Sequence, residues 1–500
     1  MDPFTAAQAL DSPLLLDAKA DYLALRQVLQ QAGYTKEGLQ KATHVIGLDS
    51  STNLNLLEVE HRLPLAGSLR QLIRLFRLGH TLEKSELEEA FFPLSPAVVQ
   101  SWGLIVDVGT GFRSPFMLNL HEDLYILGDQ PSESPSVNHV IRLNPSAIVT
   151  AAITPRQPIK RACDLGTGNG IQALLAARHA ERVIATDINA RALNVAAVNG
   201  RLNHLHNIDF RLGSWFEPVL HEQFDLIVSN PPFVISPKSQ FTYRDSGQPG
   251  DEICRMVVQD AASRLNVGGF GVLLGNWPFH PKGDWAAEPK KWLHDQQVDV
   301  IGLLNTQADP LGYTMHWQGQ EHQTVESLAN TTSEWLAYFK QRNIQAIATG
   351  SLIVRKLHQG KPFFTGYEIP DVQASPAIGQ HLLRLFAAHD RVRDIHNAAT
   401  WLSLRVKPHA DLQIEQTIKP IHQSWEIAAS QARLTSGLAF STPLNPITQG
   451  LLILAGQEKL SVLEILHEVA RSHHVEVEQI QQPCIDALQY WLLHGMIEVI

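Results

Sequence analysis

Hydrophobic and polar positions change period along this chain, and the changes divide it. From about Asp21 to Pro93 apolar residues recur at helical spacing, as in DYLALRQVLQQAGY and LAGSLRQLIRLFRLGH, with Gly and Pro between the segments, which predicts a small helical domain. Short strand-like runs follow, GLIVDVG and DLYILGD, ending in the loop QPSESPSVNHV. From roughly Asn144 strands and helices alternate: RACDL, IQALLAARHA, RVIATD, ARALNVAAVNGRLN, IDFRLG, FDLIVSN, FGVLLGN. Strands of about five residues between helices of ten or more predict a parallel α/β sheet with right-handed crossovers. VDVIGLL and AIATGSLIVRKL bring it to seven strands. Beyond Ile369 come the helical SPAIGQHLLRLFAAHD and the strand-like LSLRVKP. From about Pro446 two helices and the tail GMIEVI suggest a winged-helix-like module. The expected organisation is a helical segment 1–100, a connector or hairpin 101–143, the α/β domain 144–369 and a mixed region 370–500.

A chain of 500 residues exceeds what one hydrophobic core supports, so several domains are expected. The apolar fraction of 44% and charged fraction of 18% are those of a globular protein. A net charge of −10 argues against a surface coated with nucleic-acid-binding charge and leaves a local basic patch open. Arg70, Arg74 and Arg77 share one helix face and form either such a patch or a solvated stripe. Cys163, Cys254 and Cys484 show no metal-ligand spacing, so neither zinc nor a disulfide framework is expected, and a reduced cytoplasm fits. The N-terminus lacks the positive residues of a signal peptide, and no apolar run approaches the roughly 18 residues of a membrane span. The expectation is a cytosolic protein with no membrane or metal partner; the oligomeric state stays open.

The chemistry concentrates in the α/β segment. Asp164, Leu165, Gly166, Thr167, Gly168, Asn169 and Gly170 follow a strand and open a helix, placing a glycine-rich turn at the carboxyl edge, where open α/β sheets bind ligands. Asp187 ends the second strand roughly twenty residues on, where a carboxylate accepts ribose hydroxyls in nicotinamide enzymes and methyltransferases alike. The fourth strand ends in Asn230-Pro231-Pro232-Phe233, which breaks the tie.

In this spacing DLGTGNG, TDIN and FDLIVSNPPF resemble the class I amino-methyltransferases, among them the release-factor glutamine, ribosomal RNA guanine and transfer RNA adenine methyltransferases. The resemblance runs from roughly Cys163 to Leu274 and implies a Rossmann-like seven-stranded domain that uses S-adenosylmethionine. Gly166 through Gly170, with Asp164, would wrap the methionine part. Asp187, with Ile188, would hold the ribose. Trp215 would border the adenine with Ser214 reading its edge, and Asn230 would reach both cofactor and target.

The NPPF residues also make sense as chemistry. A carboxamide or exocyclic amine is a poor nucleophile because its lone pair is delocalised; the Asn230 side-chain carbonyl and Pro231 backbone carbonyl would accept its two N–H bonds and favour a pyramidal nitrogen. Pro231 and Pro232 stiffen the turn and remove competing donors, and Phe233 would stack on the planar target. Tyr243-Arg244-Asp245-Ser246-Gly247, before the helix CRMVVQDAASRL, forms either a lid or a plain surface loop. Asp107-Val108-Gly109-Thr110-Gly111 imitates the glycine loop, but Phe112-Arg113-Ser114-Pro115 supplies no third glycine and puts a proline where the helix should start; a hairpin or connector is expected. The leading expectation is methylation of an NH₂ group of a base in RNA or DNA. Methylation of a protein glutamine is the alternative, and an inactive binding module or a nicotinamide oxidoreductase the competitors of other classes.

Overall fold

The computed structural model describes residues 21–44, 53–64, 66–132, 136–237, 249–318, 325–369, 377–421 and 424–500. The chain forms two compact units, Met1–Ala151 with Gln157–Asp371 and Ala152–Arg156 with Val372–Ile500.

The first unit is built on one mixed sheet. Its strands in chain order are β1 (Ile159–Leu165), β2 (Ala180–Asp187), β3 (Ile208–Leu212), β4 (Phe224–Ser229), β5 (Leu265–Phe279), β6 (Val298–Ala308), β7 (Ala346–Lys356) and β8 (Phe364–Glu368). They lie in the order β8-β6-β7-β5-β4-β1-β2-β3. The run from β3 to β5 is parallel, and β7 inserts antiparallel between β5 and β6. This is the Rossmann-like order of class I methyltransferases, with eight strands rather than seven. The eighth, β8, has sequence FTGYE; it is short, polar and at the sheet edge, so no apolar run announces it. Order reverses at β1 and β4, so the ends of these strands border the crevice where such sheets bind ligands.

Two helices tie this sheet to the rest of the unit: α1 (Pro145–Ile153) and, after α2 (Ile171–Ala176), α3 (Ala190–Leu202). Eleven of the thirteen residues of α3 are buried, Asn194 and Asn199 among them, so the helix is enclosed on nearly every side. Its Val195, Val198 and Leu202 join the core formed by the N-terminal helices, with Leu25, Leu72 and Phe76 among its members. The helical segment read as 1–100 thus shares a core with the α/β segment.

The hairpin strand Leu124–Asp129 is secured to α3 by asparagines one turn apart. Asn199 Oδ1 accepts from Leu127 N–H at 2.9 Å and its Nδ2 donates to Leu127 O at 3.0 Å; Asn203 does the same with Tyr125 at 2.9 and 2.6 Å. Side-chain amides here substitute for a neighbouring strand and satisfy an edge that would otherwise be buried unpaired.

The glycine-loop imitation is a hairpin: Val106–Asp107 pairs with Phe112–Arg113. Two of the three arginines of the stripe are engaged internally. Arg77 is 3% exposed and donates to Asn119, while Arg74 pairs with Glu86 and Gln71.

In the second unit, helices Ala377–Asp394, Pro446–Ala455, Val462–His473 and Val477–Leu493 enclose a core with Leu451, Leu466, Leu488 and Trp491. The tail strand Ile497–Val499 pairs with Val406–Pro408 inside LSLRVKP. A long hairpin, Leu412–Ile421 with Ser424–Leu434, was not legible from the sequence, because no Asn-Gly-type turn marks it. Among the described residues no helix is long and apolar enough to cross a membrane, and no group of three His, Cys, Asp or Glu is placed to hold a metal.

Candidate active site

The glycine loop leaves β1 at Leu165 and reaches α2 through three residues with positive φ: Gly166 (+71°), Gly168 (+54°) and Gly170 (+89°). Their surroundings differ. A Cβ added at Gly166 or Gly168 would meet nothing within 4 Å, so the loop borders open space, whereas at Gly170 it would lie 2.9 Å from Ala196 Cβ on α3. The first two glycines leave room for a ligand against the backbone; the third lets α3 pack closely.

Hydrogen bonds fix the loop to the end of β2. Gly166 and Thr167 N–H both donate to Thr186 O at 2.9 Å, and Gly168 N–H donates to Asp187 Oδ2 at 2.9 Å. Asp187 Oδ1 accepts from Asn189 N–H at 2.8 Å. Burial raises the Asp187 carboxyl above the ordinary range, with the backbone N–H bonds opposing. The backbone N–H groups of Gly168, Ile188 and Asn189 use three of its roughly four acceptor positions and leave one for a hydroxyl. Ile188 beside it is 70% exposed, a flat apolar surface at the site's edge.

Three residues expected to touch a ligand have side chains already bonded within the protein. The buried Asp164 accepts from the Thr167 hydroxyl at 2.6 Å and from Ala173 N–H at 2.9 Å. Burial pushes its carboxyl up to about 7. Asn169 points inward: its Nδ2 donates to Ile141 O at 3.0 Å and its Oδ1 accepts from Ile171 N–H at 3.1 Å. Asp164, Thr167 and Asn169 thus shape the loop and offer a ligand only backbone. After β3, Trp215 takes φ +47°, strained for a tryptophan, and packs partly buried against the sheet's core. Ser214 N–H donates to Glu217 Oε2 at 3.2 Å. Gly213 N–H donates to Asp187 O at 3.1 Å, which holds this turn beside the β2 end.

At the end of β4, Ser229 Oγ donates to Leu165 O at 2.9 Å and holds the NPPF turn beside the glycine loop. Asn230 Nδ2 donates to Ser146 Oγ at 3.1 Å. Its Oδ1 is buried and has no hydrogen-bond partner among the described residues. A buried carbonyl oxygen left unpaired costs about 1–3 kcal/mol, which a donor on an incoming ligand would recover. Pro231 is buried and Pro232 half-buried.

Phe233 corrects an expectation. Its ring is 7% exposed and packs edge-to-face on Trp317, centroids 6.2 Å apart, so it is a wall of the site rather than an open stacking platform. Two residues on, Ile235 N–H donates to the Tyr313 hydroxyl at 3.0 Å, and Asn276 Nδ2 lies 2.5 Å from the same oxygen. Ser146, which bonds Asn230, and Tyr313 and Asn276, which hold the chain at Ile235 just past NPPF, escaped sequence reasoning because these contacts exist only in the folded unit. The segment Tyr243 to Gly247 falls outside the described residues.

Residues 145–269 match the family model described as methyltransferase small domain. Among curated proteins, the release factor glutamine methyltransferase of Xylella fastidiosa (strain Temecula1) is 39% identical over 157 residues, covering 29% of this chain and 55% of that protein. The ribosomal protein uL3 glutamine methyltransferase of Bradyrhizobium diazoefficiens is 34% identical over 127 residues, covering 22% and 39%. The chain spans about half the length of the first of these relatives. Among solved structures, an rRNA methylase from Streptococcus thermophilus aligns with 43% of this chain and 95% of its own at 17% identity and a TM-score of 0.25.

Proposed function

We propose that this chain is an S-adenosylmethionine-dependent N-methyltransferase acting on the side-chain carboxamide of a glutamine in a protein. The observation that carries the reading is the unpartnered, buried Asn230 Oδ1 at the end of β4, beside the open glycine loop.

The residues present fit the cofactor. Open space at Gly166 and Gly168 admits its methionine part, the acceptor position left on Asp187 suits a ribose hydroxyl, and exposed Ile188 with Ser214 and Trp215 borders the adenine. When bound, it supplies an electrophilic methyl group. The chain's own task is to orient the nucleophile. Asn230 Oδ1 and the Pro231 carbonyl accept the two N–H bonds of a planar amide, which turns the nitrogen lone pair toward the methyl. Pro231 and Pro232 leave no backbone N–H to compete. No strong base is needed before transfer, because the alkylated nitrogen is acidic and loses its proton afterwards.

The sequence alone favoured a base in RNA or DNA over glutamine. The curated relatives support the protein substrate instead, and two of the three arginines that nucleic-acid binding would have used, Arg74 and Arg77, are engaged by Glu86, Gln71 and Asn119. The test is transfer of labelled methyl from S-adenosylmethionine to a purified bacterial release factor by wild type and Asn230→Ala. Label in the protein fraction with wild type only is expected. Label confined to added RNA or DNA would return the nucleic-acid reading.

A further inference from the structure

We infer that Ser146, held by Asn144, is a positioning residue that fixes which way the Asn230 amide faces. The inference rests on the N-methyltransferase reading of the NPPF site.

An asparagine amide is nearly symmetric in shape, so nothing in its size decides whether oxygen or nitrogen meets the target. The two orientations have opposite consequences. Oxygen toward the target accepts its N–H; nitrogen toward it sets donor against donor and disables the site. The orientation must therefore come from a neighbour whose own polarity is fixed.

That neighbour can be traced to a backbone group. Ala147 N–H donates to Asn144 Oδ1 at 2.8 Å, and a backbone N–H has no other option. The atom of Asn144 at that point is thus its oxygen. Ser146 Oγ lies 2.8 Å from the same oxygen. Two oxygens at this distance require a proton between them, so the Ser146 hydroxyl hydrogen goes to Asn144. Only lone pairs remain on Ser146 Oγ. The Asn230 atom 3.1 Å away must then be a donor, its Nδ2, and Oδ1 is left turned to the site, where it has no partner among the described residues. The order is passed from the Ala147 backbone to Asn144, to Ser146, to Asn230 and finally to the substrate, and each link follows from donor and acceptor count alone.

The fold supplies what this relay needs. Asn144, Ser146 and Ala147 sit at the start of α1, Pro145–Ile153, whose Ala147 carbonyl accepts from Gln172 Nε2 at 2.8 Å, tying it to the helix after the glycine loop. The start of α1 is therefore positioned by the same element that shapes the cofactor edge.

The inference is tested on the full chain labelled with ¹⁵N-asparagine. The Asn230 side-chain signal is assigned by its disappearance in Asn230→Ala. Ser146→Ala should move the bonded Nδ2 proton upfield, and Ser146→Thr, which keeps a hydroxyl, should leave it in place. With a release factor as methyl acceptor, Ser146→Ala should lower turnover on the order of tenfold while the dissociation constant for S-adenosylmethionine stays within about twofold. An unmoved amide signal in Ser146→Ala overturns the relay. So does a loss of cofactor binding that matches the loss of turnover, since that indicates a collapsed site rather than a turned amide. Methyl transfer persisting in Asn230→Ala is a different failure: it overturns the reading of NPPF itself, whatever the amide signal does.

Discussion

Gly166→Ala and Gly170→Ala, in one five-residue loop, should fail in opposite ways. Both force alanine into a left-handed conformation, at φ +71° and +89°, which costs about 1–2 kcal/mol. At Gly166 nothing more is added, because the new methyl enters open space. It does so on the side proposed to receive the cofactor, so the ligand-free protein should lose little stability while S-adenosylmethionine binding falls by tenfold or more, on the order of 1.4 kcal/mol. At Gly170 the methyl would lie 2.9 Å from Ala196 Cβ and 3.2 Å from Ala196 Cα. Ala196 is on a helix buried on all sides and has no room to retreat, so overpacking adds about 1–3 kcal/mol and the total reaches about 2–5 kcal/mol. Thermal unfolding of the ligand-free variants, followed by calorimetric titration with the cofactor, separates the two. The reasoning is refuted if Gly166→Ala binds like wild type, or if Gly170→Ala melts no lower than Gly166→Ala.

Two further outcomes follow from buried polar groups. His381 is fully buried, its Nδ1 accepting from Leu438 N–H at 3.0 Å and its Nε2 donating to His494 O at 2.9 Å. This arrangement is complete for the neutral ring. Burial first, against the opposing hydrogen bond to His494 O and with help from the Arg384 charge, holds its pKa down at about 4 instead of 6.5. Above pH 6.5 both folded and unfolded chains carry it neutral; as pH falls from 6.5 to 4 only the unfolded chain takes the proton, so stability is lost across that window, by up to about 3 kcal/mol. Urea midpoints of wild type should fall over this range more steeply than those of His381→Asn, and parallel curves would contradict the assignment. Tyr313→Phe removes the hydroxyl that Ile235 N–H and Asn276 share. It should cost about 1–3 kcal/mol for the buried groups left unpaired, read as a lowered melting temperature; an unchanged one would show that the hydroxyl is not needed.

What was legible in the sequence was whatever local pattern determines. The runs RACDL, RVIATD and FDLIVSN are mostly buried in a parallel sheet and so read as short, largely apolar strands. The glycine loop and NPPF were visible because each is a contiguous segment. β8 stayed hidden, since FTGYE is a half-exposed edge strand with no burial to demand apolar residues. Asn169 looked like a ligand contact from its place among glycines. Nothing local says that its amide turns inward to Ile141 and Ile171. No local pattern marks Asn144 and Ser146, whose link to Asn230 arises only when β4 and α1 meet. Arg77 shows the same limit: its helical spacing suggested a surface stripe, yet the side chain is buried against Asn119.

The most direct test of the central claim is mass-spectrometric mapping of the atom methylated when this chain, S-adenosylmethionine and a bacterial release factor are incubated together, with Asn230→Ala run alongside. The account predicts one added methyl on a glutamine side-chain nitrogen, absent from the Asn230→Ala reaction. A methyl on any oxygen or carbon, or the same product from Asn230→Ala, would contradict it.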